Sequence, residues 1–248
     1  MAKNYGSQVH YWRKSVLFSS LVIFLFSCSN KVDSIEWVET KSLNSQPLYI
    51  ATTEVTNAQF KTFVDATNYK TSAEINNYGG AIYESGEWKI DQQANWKHPM
   101  GKSSTIQNRM NHPVVQVSYI DALAYCRWAK VRLPTEDEWE YVCLKGKTSQ
   151  TKININHGQT KDDVDGYLYT SPVKKFPSNA LGIHGMLGNV WEITASHFDS
   201  SEESSVVVMK GGSFLCDAIY CRGYTTEARQ SFAKNDAYFH VGFRVVRD

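Results

Sequence analysis

The stretch Lys210-Gly211-Gly212-Ser213-Phe214-Leu215-Cys216-Asp217-Ala218-Ile219-Tyr220-Cys221 sets two cysteines five positions apart, a spacing that suits neither regular element. On a helix they would point about 140° apart around the axis. On a strand, an odd separation sends them to opposite faces. The two sulfurs converge only if the chain turns between them. Such a turn suits a disulfide or a soft metal ion, and a structural disulfide or two unrelated buried thiols are the plainer alternatives. On spacing alone those plainer alternatives are favoured, and the surrounding sequence must decide.

Length and composition set the frame. The chain of 248 residues has ample length for a buried core, with 42% hydrophobic and 21% charged residues. Net charge is +1 and no long basic run lies outside the N-terminus, which argues against binding nucleic acid through its phosphates. Aromatic residues are abundant, with 7 Trp, 14 Tyr and 11 Phe. Large flat rings at that density fit a compact, loop-rich domain whose core they fill. No internal repeat, low-complexity tract or linker is visible, so one domain is the economical reading.

Residues 1–27 read as a bacterial lipoprotein signal peptide. Arg13 and Lys14 supply the positive flank, and Val16 to Phe26 is an apolar run too short for a comfortable membrane span. It ends in Leu25-Phe26-Ser27-Cys28, where cleavage would leave Cys28 as a lipidated N-terminus. That places the domain in the cell envelope, facing the periplasm or exterior, with residues 28–47 as a tether and 48–248 as the folded domain. Four cysteines then remain: Cys126, Cys143, Cys216 and Cys221. They allow three disulfide pairings, and spacing does not choose among them.

Three helices have legible starts. Thr56-Asn57-Ala58-Gln59 forms a capping box before Phe60, Phe63 and Val64. Ser118 opens a second helix carrying Ala122 and Cys126, and Thr135 a third carrying Trp139, Val142 and Cys143. On these stripes Cys126 and Cys143 read as small core residues. His240-Val241-Gly242-Phe243-Arg244-Val245-Val246 predicts a final strand with Val241, Phe243 and Val245 inward. The chain lacks a Gly-rich phosphate loop, a paired-His zinc helix, a nucleophile elbow and a second close cysteine pair.

Several segments in order resemble the formylglycine-generating enzyme family, the sulfatase-modifying factors. They include Thr53-Glu54-Val55-Thr56-Asn57, Asn95-Trp96-Lys97-His98-Pro99 and His112-Pro113-Val114-Val115. Arg132-Leu133-Pro134-Thr135-Glu136, Gly188-Asn189-Val190-Trp191-Glu192, Gly211-Gly212-Ser213-Phe214-Leu215-Cys216 and Val241-Gly242-Phe243-Arg244 follow. The resemblance runs from Leu48 to Asp248. It implies an α+β fold, a C-type-lectin-like variant forming a single domain with low regular secondary structure.

The resemblance also implies an activity. Family enzymes oxidise a cysteine in an unfolded sulfatase segment, Cys-x-Pro-x-Arg, to Cα-formylglycine with molecular oxygen. Cys216 and Cys221 would hold copper(I), for which thiolates are the soft ligands of choice. Ser213, Trp191 and Tyr220 fall at the family's other active-site positions. Calcium transfers by position to Asn154, Ile155, Asp165 and Tyr167, and a second ion to Gly188, Val190 and Glu192, oxygen donors that suit a hard cation. Gly185 stands where relatives carry Asp or Asn, and Glu192 taken alone reads equally as a buried, hydrogen-bonded acid. Other departures are Asp217 in place of a His, Gly223 and Thr225 in place of two arginines, and Ile193 in place of a Trp. No opening Gly-x-Phe-x-Met-Gly strand is visible before Pro47. Thr226 and Val245 replace the disulfide partners that some relatives give Cys126 and Cys143, so both thiols are expected free and buried. The alternative to the oxidase is a non-catalytic lipid-anchored lipoprotein that binds a carbohydrate or a partner on the same fold. The retained cysteine pair favours the enzyme.

Overall fold

A computed structural model describes residues 1, 34–42, 45–75, 78–146, 153–155, 165–199, 201, 204–217 and 221–248. The expected signal peptide, Cys28 and Tyr220 lie outside these residues, and everything below belongs to the unit Val32–Asp248. Among the described residues no helix is long and apolar enough to cross a membrane.

The elements are short, as the sequence predicts. In chain order they are β1 (Trp37–Lys41), β2 (Pro47–Ala51), α1 (Asn57–Thr67), α2 (Ser72–Ile75), β3 (Gly80–Glu84) and β4 (Glu87–Asp91). Then come α3 (Tyr119–Ala129), α4 (Glu136–Lys145), β5 (Trp191–His197), β6 (Val206–Lys210), β7 (Arg229–Ala233), β8 (Val241–Phe243) and β9 (Val246–Arg247). The helices α1, α3 and α4 start at Thr56, Ser118 and Thr135, and each carries a complete capping box. In each box the cap hydroxyl accepts from a backbone N–H that the first helical turn leaves unpaired.

The strands form three sheets, ordered β1-β2-β9, β3-β4 and β7-β6-β5-β8. All ladders are antiparallel except β5 with β8. Residues 37–41, expected in the tether, are thus strand β1, with Val38 opposite Ile50. The fold therefore begins before Leu48, with an opening strand that lacks the family's glycine pattern. The final strand also differs from expectation. It is split: β8 pairs with β5, and β9 pairs with β2 in another sheet. Between them Arg244 is fully buried beside Val245, so the inward-outward alternation expected over 240–246 is lost. A strand that crosses from one sheet to another has core on both sides.

Rings fill the main core. Phe60 and Phe63 of α1 meet Tyr125 of α3 and Phe243 of β8, with Trp96 edge-on to Phe60 at 5.3 Å. Each such pair adds about 0.5–1.5 kcal/mol beyond the area it buries. A second cluster packs Trp139, Val142 and Cys143 of α4 against Leu48, Ile50 and Val246 of the first sheet. A third gathers Ile82, Phe214 and Phe239. Together the clusters hold the loop after β6 against the ends of β5 and β8.

Candidate active site

The loop after β6 turns as the glycines demand. Gly211 and Gly212 have φ of 94° and 73°, a left-handed region that glycine enters without penalty. A Cβ on Gly212 would lie 2.6 Å from the backbone N of Tyr224, so the loop and the following segment touch through bare backbone. Ser213 is buried, its carbonyl accepts from Cys216 N at 2.9 Å, and its Oγ accepts from Leu215 N at 3.2 Å. Ser213 therefore shapes the turn that presents Cys216.

The turn brings the two sulfurs together. Cys216 and Cys221 are joined as a disulfide with a Cα–Cα distance of 4.6 Å. Cys216 is buried against Trp191, with Gly223 between them. Cys221 opens on a groove of about 620 Å³ whose other lining includes Trp88, Trp191, Arg222, Gly223 and His240. Of the expected active-site residues, Trp191 and both cysteines meet here, while Ser213 stands one layer behind. Once reduced, the pair is a set of two soft donors and fits copper(I). Cys126 and Cys143 are free and buried, as expected. Burial pushes both thiols up, Cys126 to about 12, so neither offers a thiolate near neutral pH. Cys143 Sγ lies 3.4 Å from Thr226 Oγ1.

His240 is a site residue that the sequence reading missed. It was absorbed into the predicted final strand, and the signal was its place just before the Val241-Gly242-Phe243-Arg244 segment. Its ring lies 5.2 Å from that of Trp88, and its Nδ1 is buried with no hydrogen-bond partner among the described residues. Burial lowers its pKa to about 3, so the groove receives a neutral imidazole.

The first calcium set converges. Asp165 accepts from the backbone N–H groups of Ile155 at 3.2 Å and Tyr167 at 2.9 Å. Asn154 donates through Nδ2 to Tyr169 O, and its Oδ1 is buried without a partner among the described residues. A carboxylate on the N–H of Ile155 and an unpaired amide oxygen on the preceding residue are oxygen donors of the kind a calcium ion takes. In the second set Glu192 is already saturated. Its Oε1 accepts from Arg244 Nε and Nη2 at 3.2 and 2.7 Å, and its Oε2 from Arg244 Nε at 3.0 Å and Trp139 Nε1 at 2.7 Å. With two donors on each oxygen and a guanidinium alongside, Glu192 matches the reading of a buried structural acid, and the second set does not fit calcium.

Glu54, also unforeseen, lies in the same charged cluster. It accepts from Asn189 Nδ2 at 2.7 Å, while its Oε2 has no partner among the described residues. Burial is the main cause that raises its pKa to about 7; the Glu192 charge raises it further and Arg244 opposes. A Cβ on Gly185 would fall 2.6 Å from this carboxylate, which gives a physical reason for glycine there.

Comparison with known proteins agrees with this geometry. Residues 27–248 match the Sulfatase-modifying factor enzyme 1-like domain. The formylglycine-generating enzyme of Bos taurus is 35% identical over 244 residues, spanning 81% of this chain and 65% of that protein. This chain thus covers just under two thirds of that relative. The inactive C-alpha-formylglycine-generating enzyme 2 of Bos taurus is 33% identical, covering 82% of this chain and 78% of its own. PvdO from Pseudomonas aeruginosa superimposes with a TM-score of 0.63 at 21% identity, covering 87% of this chain and 91% of its own. The α+β, C-type-lectin-like architecture expected from the resemblance is the one found. This chain belongs to the sulfatase-modifying factor, or formylglycine-generating enzyme, family.

Proposed function

We propose that this protein oxidises a cysteine in an unfolded sulfatase segment to Cα-formylglycine with molecular oxygen, using copper(I) held by Cys216 and Cys221. The observation that carries the reading is the meeting of those two sulfurs at the wall of an open groove. A thiol must first reduce the disulfide, after which both sulfurs are free to act as ligands. Bound there, copper(I) supplies the centre at which oxygen is activated. The chain's own residues do the rest. Gly223 and Trp191 pack on the side of the Cys216 sulfur, and that cysteine is 1% exposed. The groove positions the substrate thiol next to Cys221. Neutral His240 lines the groove without adding charge.

The same reading places calcium at Asn154, Ile155, Asp165 and Tyr167, and the protein in the cell envelope with lipid on Cys28. Mass spectrometry of the membrane fraction should find an acylated Cys28 and no residues 1–27; an unmodified soluble chain refutes the anchor.

The deciding experiment incubates the protein with a Cys-x-Pro-x-Arg peptide, a thiol, copper and oxygen, then measures mass loss and aldehyde reactivity. Cys216→Ser and Cys221→Ser should each lose tight copper(I) binding and all conversion, because a hydroxyl is a hard, neutral ligand. A parent protein that binds copper(I) no better than Cys216→Ser supports the second reading, a non-catalytic lipoprotein. Asp217, Gly223 and Thr225, which depart from the family pattern, favour that alternative.

A further inference from the structure

Strand β4 has β3 on one side and no strand on the other among the described residues. The turn between them is tight, with Ser85 and Gly86 at φ of 56° and 87°, the positive values a two-residue type I′ hairpin needs. Ala81 of β3 turns its backbone away from β4, donating to Ala237 O at 2.8 Å and accepting from Phe239 N–H at 3.2 Å. Ala81 and its opposite Ile90 are therefore a non-hydrogen-bonded pair, and so, two residues on, are Tyr83 and Trp88. Ile90 and Trp88 then point their own N–H and C=O groups out at the free edge, where no described residue bonds them. The side chains are open as well. Every residue from Glu87 to Ile90 is exposed, Trp88 at 51% and Ile90 at 62%. Large apolar side chains beside unpaired strand backbone make an adhesive edge.

Charge decides what fits it. A second β4 strand running antiparallel can place a two-fold axis at Trp88, Lys89 or Ile90, since each choice sets the outward groups of Trp88 and Ile90 against outward groups. An axis at Lys89 puts Glu87 opposite Asp91 twice and Lys89 opposite itself, which like charges forbid. An axis at Trp88 pairs only residues 87–89 before the turn intervenes, and leaves Ile90 uncovered. An axis at Ile90 sets Lys89 opposite Asp91 on both sides, as pairs whose side chains approach closely. It also joins the two Ile90 side chains, with Trp88 of each copy diagonally beside them.

The geometry points to a second copy of this chain as the occupant, its β4 paired antiparallel with this one about a two-fold axis at Ile90. The contact is isologous, so it closes on itself. The far side of β3 is already taken by the segment at Tyr238, which stops the pairing at a dimer. The active groove feels the contact, because Trp88 also lines that groove and lies 5.2 Å from the ring of His240. Pairing backs this wall with Ile90 of the second copy. None of this depends on the oxidase reading.

The test follows association of the purified full-length protein by sedimentation velocity over a range of concentrations. The parent should pass from monomer to dimer as concentration rises. Lys89→Asp and Asp91→Lys should each weaken the dimer about ten-fold or more, because each places like charges opposite one another. An equal mixture of the two should restore it, since opposite charges then face each other again. Asp91 also caps a turn through Gln93 N–H at 2.8 Å, so a crosslink supplies a second measurement at exposed positions. Under mild oxidation Ile90→Cys should yield a disulfide-linked dimer above the parent's level, and Trp88→Cys and Lys89→Cys should not. A parent that stays monomeric, a mixture no tighter than its components, or a crosslink at 88 or 89 rather than 90 overturns the inference.

Discussion

Gly223 and Trp191 stand so close that a Cβ on Gly223 would lie 2.4 Å from Trp191 Cζ2, with the Cys216 sulfur 3.1 Å away. A glycine at 223 is what leaves room for the indole on one side and the Cys216 sulfur on the other. Trp191 is buried, so its ring has little room to retreat. Gly223→Ala should destabilise by about 1–3 kcal/mol, a typical cost of overpacking. It should also shift the tryptophan emission and slow peptide conversion. A variant with the parent's melting temperature and emission would refute the contact.

Arg244 and Glu192 form a fully buried ion pair with the guanidinium also donating to Ala51 O and His184 O. Removing one partner strands the other charge, so Arg244→Met should cost about 3–5 kcal/mol. The double variant Arg244→Met with Glu192→Gln should recover part of that loss. Chemical denaturation of all four proteins gives the coupling, and strictly additive losses would rule the pair out as a unit.

Glu54 gives stability a particular pH dependence. Its ordinary value is 4.5 and its folded value about 7, so the folded protein holds a proton that the unfolded chain releases. Its contribution is complete below about 4.5 and is lost as pH rises through about 7. His112 and His240, lowered to about 4 and about 3 mainly by burial, act in the opposite sense at acid pH. The informative comparison is therefore with Glu54→Gln, whose melting temperature should fall less than the parent's between pH 5 and pH 8. Parallel profiles for the two proteins would show that Glu54 does not titrate in this range.

Calcium should stabilise the fold through the loop at Asp165, since a ligand held only by the folded state raises stability by mass action. Chelation should lower the melting temperature of the parent, and Asp165→Ala should abolish most of that response. Glu192→Gln is less stable for the reason given above, yet it should keep the chelator response. A parent indifferent to chelation would remove calcium from this site.

Much was legible in the sequence because the signals were local. Capping boxes at Thr56, Ser118 and Thr135 specify helix starts through contacts that span three residues. The Cys216–Cys221 spacing demands a turn whatever surrounds it. Small apolar stripes identified Cys126 and Cys143 as buried thiols. The tertiary structure decided what depends on distant segments meeting. The break between β8 and β9 is imposed by pairing with two different sheets, which no alternation over 240–246 reveals. The choice of partner for Glu192, a guanidinium 52 positions away, depends on β5 and β8 lying side by side. His240 and residues of β7 became parts of one groove only when Trp88 and Cys221 came beside them. Periodicity and caps act through neighbours in sequence. Buried charge and grooves arise from neighbours in space, and those the chain acquires only on folding.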